Sequence, residues 1–151
     1  MTTPATLHAE ATSVPKAGLL RRCLPSAARI LMGLVFLVFG LNGFLNFIPP
    51  PKTPMPEGAV ALFGGLMKAG YMFPLIFGTQ AIVGAMLLAN RFVPLALVLI
   101  APVIVNIIAF HLFLEPSGIV PGAVVLLLEA YLAWVHRQAY RPLLARRATP
   151  T

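Results

Sequence analysis

Four apolar stretches, each about 18–23 residues long, leave this chain very few ways to fold. They cover residues 26–47, 71–89, 92–114 and 119–138. At about 1.5 Å of rise per residue, a helix of about 20 residues crosses a hydrocarbon layer of about 30 Å. Hydrocarbon offers no water to backbone N–H and C=O groups, so each stretch must pair them internally as a helix. The expected fold is all-α: a polytopic membrane protein, with a four-helix transmembrane bundle over residues 25–140. Composition agrees, because 10% of residues are charged against about 25% in a soluble domain.

The connections carry the topology. Residues 1–24 read as a flexible tail, with a short surface helix near Ala17–Leu24. The first stretch is too long for the apolar core of a cleaved signal and ends in Asn42-Gly43-Phe44-Leu45-Asn46, so a signal anchor is expected. Ile48-Pro49-Pro50-Pro51-Lys52-Thr53-Pro54-Met55-Pro56 must be an extended loop. Residues 57–70 are apolar but too short for an ordinary crossing, which predicts a short interfacial or re-entrant helix before the second span. Lys68 is expected to snorkel from it to the headgroups. Asn90-Arg91 and Glu115-Pro116-Ser117-Gly118 read as turns, and residues 141–151 as a basic tail.

Of the eleven basic residues, Lys16, Arg21, Arg22 and Arg29 lie before or at the start of the first stretch, and Arg137, Arg141, Arg146 and Arg147 at or after the end of the last. Together with Arg91 they place both termini and the Asn90-Arg91 turn in the cytoplasm. The net charge of +7 is thus a topology signal, and no nucleic-acid partner is expected. Gly33, Gly40, Gly78, Ala81, Gly84 and Ala85 are expected to let the first two spans approach closely. Pro102 predicts a kink in the third span.

Polar residues inside the apolar stretches are the candidate site. Glu129 lies about 15 Å deep, near the midplane, where a carboxyl group should face the bundle interior and be neutral without a cation partner. By the same rise, Asn42 lies about 9 Å from the outer face, Gln80 about 13 Å, Asn106 about 12 Å and His111 about 5 Å. Two readings stay open for Glu129, Asn106, Asn42, Gln80 and His111: a cavity that binds a small amphipathic molecule or a proton, or interhelical hydrogen bonds worth about 0.6 kcal/mol each. His136 shares a helical face with Glu129 but stands about 10 Å along the axis, too far to pair. No metal-ligand set, phosphate loop or Ser/His/Asp set is present. Cys23 is the only cysteine, so dithiol chemistry would need a partner protein.

Gly33-Leu34-Val35-Phe36-Leu37-Val38-Phe39-Gly40-Leu41-Asn42-Gly43-Phe44, the Pro-rich loop, Gly64-Gly65-Leu66-Met67 and Asn90-Arg91-Phe92-Val93-Pro94-Leu95 together resemble the DoxX family of small bacterial membrane proteins. The likeness covers about residues 26–147. It implies a four-helix fold in a bacterial inner membrane, and for some relatives a link to thiosulfate:quinone oxidoreduction or to complexes that handle oxidative and thiol stress. Many members carry a glutamate in the second span where this chain has Gln80, which leaves Glu129 as the acid for redox or proton work. Three roles follow. The first is a binding or accessory subunit with an intramembrane cavity for a quinone or lipid. The second is the membrane subunit of a quinone-linked oxidoreductase, and the third a purely structural partner. Expected partners are the lipid bilayer, a membrane or redox protein, and further copies of the chain.

Overall fold

The computed structural model describes residues 16–50 and 53–142. The tail up to residue 15, Pro51-Lys52 of the Pro-rich loop and the basic tail beyond residue 142 lie outside the described residues. The described residues are all-α, in the order α1 (Lys16–Leu45), α2 (Glu57–Lys68), α3 (Met72–Leu88), α4 (Val93–Phe113), a 3₁₀ turn (Pro116–Gly118), α5 (Ile119–Val135) and α6 (Arg137–Tyr140). Three segments are each long and apolar enough to cross a membrane: Cys23–Leu45, Val93–Phe113 and Pro116–Val135. α2 and α3 reach that length and apolarity only together, as a bent pair, which gives up to four crossings.

α1 starts ten residues before the expected beginning of the first span at Ser26 (26 − 16 = 10), and Pro25 lies inside it. Proline removes one donor from the ladder, a loss that water can offset where the helix leaves the hydrocarbon. α2 meets α3 at 92°, with Gly70 at φ +74° in the corner, a conformation that favours glycine. Its apolar residues contact the bundle through Ala59, Phe63 and Leu66, the least exposed positions of the helix, spaced i, i+4, i+7. The expected short helix before the second span is thus present. α3 has 17 residues, about 25 Å of rise. It closes in a Schellman arrangement: Asn90 N–H donates to Leu87 O at 3.2 Å and Arg91 N–H to Met86 O at 3.0 Å, with Asn90 at φ 55°. α4 runs through Pro102 as one helix.

α1 and α3 form the closest pair. A Cβ on Gly84 would fall on the Leu37 backbone and 2.8 Å from Gly33 O; one on Gly40 would fall 2.8 Å from Phe77 O and 2.9 Å from Ala81 Cα. Only hydrogen at these positions lets the two backbones touch, as expected where lipid supplies no hydrophobic drive for association. Gly43 sits under the Phe77 ring and belongs to the same contact, whereas Gly78 faces open space.

The two halves of the bundle are packed with different chemistry. The core that reaches toward the Asn90-Arg91 turn is mostly aliphatic: Met32, Val83, Leu87, Leu97, Ile100, Ile104 and Leu132 are fully buried, with Phe36 the one aromatic ring among them. The half beside the Glu115 turn is joined by aromatic rings. Phe63 of α2 stacks on Phe73 (6.0 Å between centroids) and meets Phe110 (5.2 Å), and Phe77 packs on Phe73 (5.5 Å) and Phe44 (6.3 Å). Four helices therefore converge on one cluster of phenylalanines, which clamps α2 across the end of the bundle.

Candidate functional site

α5 is the most peripheral of the spanning helices: 11% of its apolar window is buried inside the bundle. Its buried positions are Gly122, Glu129 and Leu132, spaced i, i+7, i+10 on one narrow stripe. Gly122 at the head of that stripe faces Ile107 and Ile108 of α4, so the stripe packs toward α4 and the core. A carboxyl group thus takes one of the few positions this helix withdraws from lipid. Glu129 Oε2 is buried and has no hydrogen-bond partner among the described residues. Gln80 on α3 is the other buried polar side chain of the described residues, on a stripe with Val83, Gly84 and Leu87. Counted from the helix ends at Val135 and Leu88, Glu129 and Gln80 lie about 9 Å and 12 Å from the same membrane face.

The other three expected site residues make local bonds. Asn42 accepts from Ile48 N–H at 2.6 Å and so closes the end of α1, where Asn46 at φ 51° makes the turn. Asn106 is exposed, and its Nδ2 donates to Pro102 O at 3.0 Å, one turn back on its own helix. An amide that faces acyl chains has no water to bond, and the nearest acceptor is the carbonyl beneath it. His111 Nδ1 lies 2.7 Å from Glu115 O and 3.5 Å from Glu115 Oε2. A carbonyl can only accept, so Nδ1 carries the proton and donates. Ser117 Oγ donates to the same Glu115 carboxylate, which ties the turn between α4 and α5 into one small network.

No family model matches the chain, and neither does any curated protein or solved structure. What the fold shows is an all-helical, multi-pass membrane bundle.

Arg29 has a role that its position in the sequence does not announce. Charge counting groups it with the basic residues before the first span, yet it lies within the apolar segment Cys23–Leu45. Its Nη1 donates to Leu87 O and, at 3.3 Å, to Leu88 O, the last carbonyls of α3. The C-terminal carbonyls of a helix lack intrahelical donors and carry partial negative charge, so a guanidinium from α1 is a fitting cap. The readable signal was a cation one or two turns inside a span, on the side where a neighbouring helix ends. On the same side Tyr140 OH donates to Pro94 O at 3.3 Å and ties α6 to the start of α4. Burial, and secondarily the field of Glu129 when ionised, raise the Tyr140 phenol above its ordinary value.

Gly118 faces the His111 imidazole so closely that a Cβ would overlap the ring. Gly118→Ala is expected to expel the ring and break its bond to Glu115, a loss of about 1 kcal/mol. In thermal unfolding in detergent, His111→Ala should make the glycine substitution nearly silent, because the two act through one contact.

Proposed function

We propose that this chain is a DoxX-like accessory subunit of a bacterial inner membrane. Both termini are cytoplasmic, and a small hydrophobic molecule, a quinone or a lipid, binds between its helices. Glu129 and Gln80 are the hydrogen-bonding groups of that site. The ordered likeness of the first-span, Pro-rich and Asn90-Arg91 segments to DoxX proteins supports the family; Lys16, Arg21, Arg22, Arg91, Arg137 and Arg141 support the orientation.

One observation carries the reading: α5 withdraws few side chains from lipid, and one of them is a carboxyl with an oxygen left unpaired. A buried oxygen without a partner costs about 1–3 kcal/mol, so a bundle that needed only cohesion would do better with leucine there. A ligand that donates a hydrogen bond to Oε2 removes the cost. Binding of this kind needs an apolar slot with one or two polar groups, which the core residues around Gln80 and Glu129 would provide by parting slightly.

A purely structural role has its own support, because Asn42, Asn106 and His111 all make hydrogen bonds within the chain. Glu129→Leu separates the two. Under the binding reading the variant is at least as stable as the parent, and a hydrophobic molecule that co-purifies with the parent in mild detergent is lost. Under the structural reading extracts of parent and variant are identical by mass spectrometry. Glu129→Gln keeps the shape and a hydrogen-bonding group, and its unfolding should stay within about 0.5 kcal/mol of the parent.

A further inference from the structure

The bundle carries a groove between α1 and α5 of about 260 Å³, lined by Leu24, Ala28, Val124, Leu127, Leu128 and Tyr131. Its wall is apolar throughout apart from the Tyr131 phenol. The volume falls below the roughly 300–1,000 Å³ of pockets for drug-sized ligands, and its lining follows one side of α5 from Val124 to Tyr131. It starts near mid-depth at Val124 and runs to the membrane face that bears the Asn90-Arg91 turn.

At that end the chemistry changes. One turn beyond Tyr131 stands Trp134, exposed, with the Arg137 guanidinium 4.9 Å above its ring and Arg137 Nη1 donating to Trp134 O at 3.0 Å. The guanidinium is thereby fixed over the Trp134 ring, one to two turns beyond the groove residue Tyr131, with most of its donors unspent. Arg91 and Arg141 are exposed at the same face. The acids of the described residues are Glu57 and Glu115, at the other face, and buried Glu129, so no carboxylate among the described residues competes here.

We propose that this groove binds one acyl chain of an anionic phospholipid, with the phosphate at the Arg137 end. The charge fits the occupant: an apolar channel that opens beneath a guanidinium and a tryptophan matches a lipid with a negative headgroup, and a second copy of this chain would bring its own basic residues against these. The site is separate from the inward-facing Glu129, so the two readings stand or fall independently.

Trp134 is the sole tryptophan and lies at the mouth, which makes the chain its own reporter. The full-length protein is reconstituted in phosphatidylcholine vesicles in which a fixed fraction is replaced by brominated phosphatidylglycerol or by brominated phosphatidylcholine. Quenching of Trp134 is expected to be several-fold stronger per mole of brominated phosphatidylglycerol. Arg137→Gln should lower that preference about fivefold, the weight of one basic residue at an anionic surface. Val124→Phe, at an exposed position that fills the deep end, should lower it while Arg137 remains in place. Equal quenching by the two lipids overturns the proposal, as does a preference that both substitutions leave untouched. Weak quenching by both lipids, with Trp134 emission that shifts with protein density, would show the groove covered by a second copy and would equally overturn it.

Discussion

Gly84→Leu is expected to separate α1 from α3 and to be the most damaging single substitution in the chain. The hydrogen of Gly84 faces backbone atoms, Leu37 N and Gly33 O, and backbone cannot rotate away as a side chain can. The helices must move apart, and every contact along the pair from Gly33 to Gly43 loosens with them. Overpacking of a tight interface ordinarily costs about 1–3 kcal/mol; a leucine against two backbones should exceed the upper value. Gly40→Leu should behave alike, since its neighbours are the Ala81 and Phe77 backbones. Gly78→Ala is the control. Its added carbon meets nothing within 4 Å, and the change should fall within about 0.5 kcal/mol or be slightly stabilising. Unfolding in mixed micelles with increasing denaturing detergent measures all three. If Gly84→Leu and Gly78→Ala unfold together, the close pairing of α1 and α3 is wrong.

Arg29→Ala should produce the second largest loss, by a different route. Here no atoms collide; the last carbonyls of α3 lose the cation that satisfies them. A hydrogen bond to a charged group contributes about 1.5–3 kcal/mol, and Leu88 O has no other donor within the Schellman turn. Arg29→Lys should recover part of the loss, because one ammonium reaches one carbonyl well but cannot reproduce a planar fork across two. The readout that marks the cap itself is amide hydrogen exchange: protection should fall first in the last turn of α3, before the rest of the bundle opens. Uniform loss of protection along α3 would argue against the capping role.

Much of this was legible before any coordinates. Long apolar stretches, a proline-rich break and the Asn90-Arg91 and Glu115 turns stand in the sequence, and the apolar helices fall between those breaks, although α1 begins well before Ser26. The short helix after the Pro-rich loop and the gathering of Gly33, Gly40 and Gly84 at one contact were legible as well. Less legible was which polar residue points inward. Depth along the axis, the only coordinate the sequence offers, puts Asn42, Gln80, Asn106 and Glu129 within a few ångströms of one another. Rotation about each axis separates them: Gln80 and Glu129 turn inward, Asn106 turns outward onto its own helix, and Asn42 bends to the chain that follows it. The aromatic cluster was hidden for the same reason, since Phe44, Phe63, Phe73 and Phe110 are ordinary apolar residues until four helices bring them together.

The amino-acid sequence alone determined that this chain lives in hydrocarbon and that its segments there are helices. The cause is local: a backbone without water must pair with itself, and that demand is met one segment at a time. Only the tertiary structure decided which face of most helices is hidden, that Arg29 closes a helix it does not belong to, and that Glu129 keeps an oxygen without a partner among the described residues. Those outcomes depend on how neighbouring helices are rotated against one another, which close packing at small residues settles and no single segment encodes.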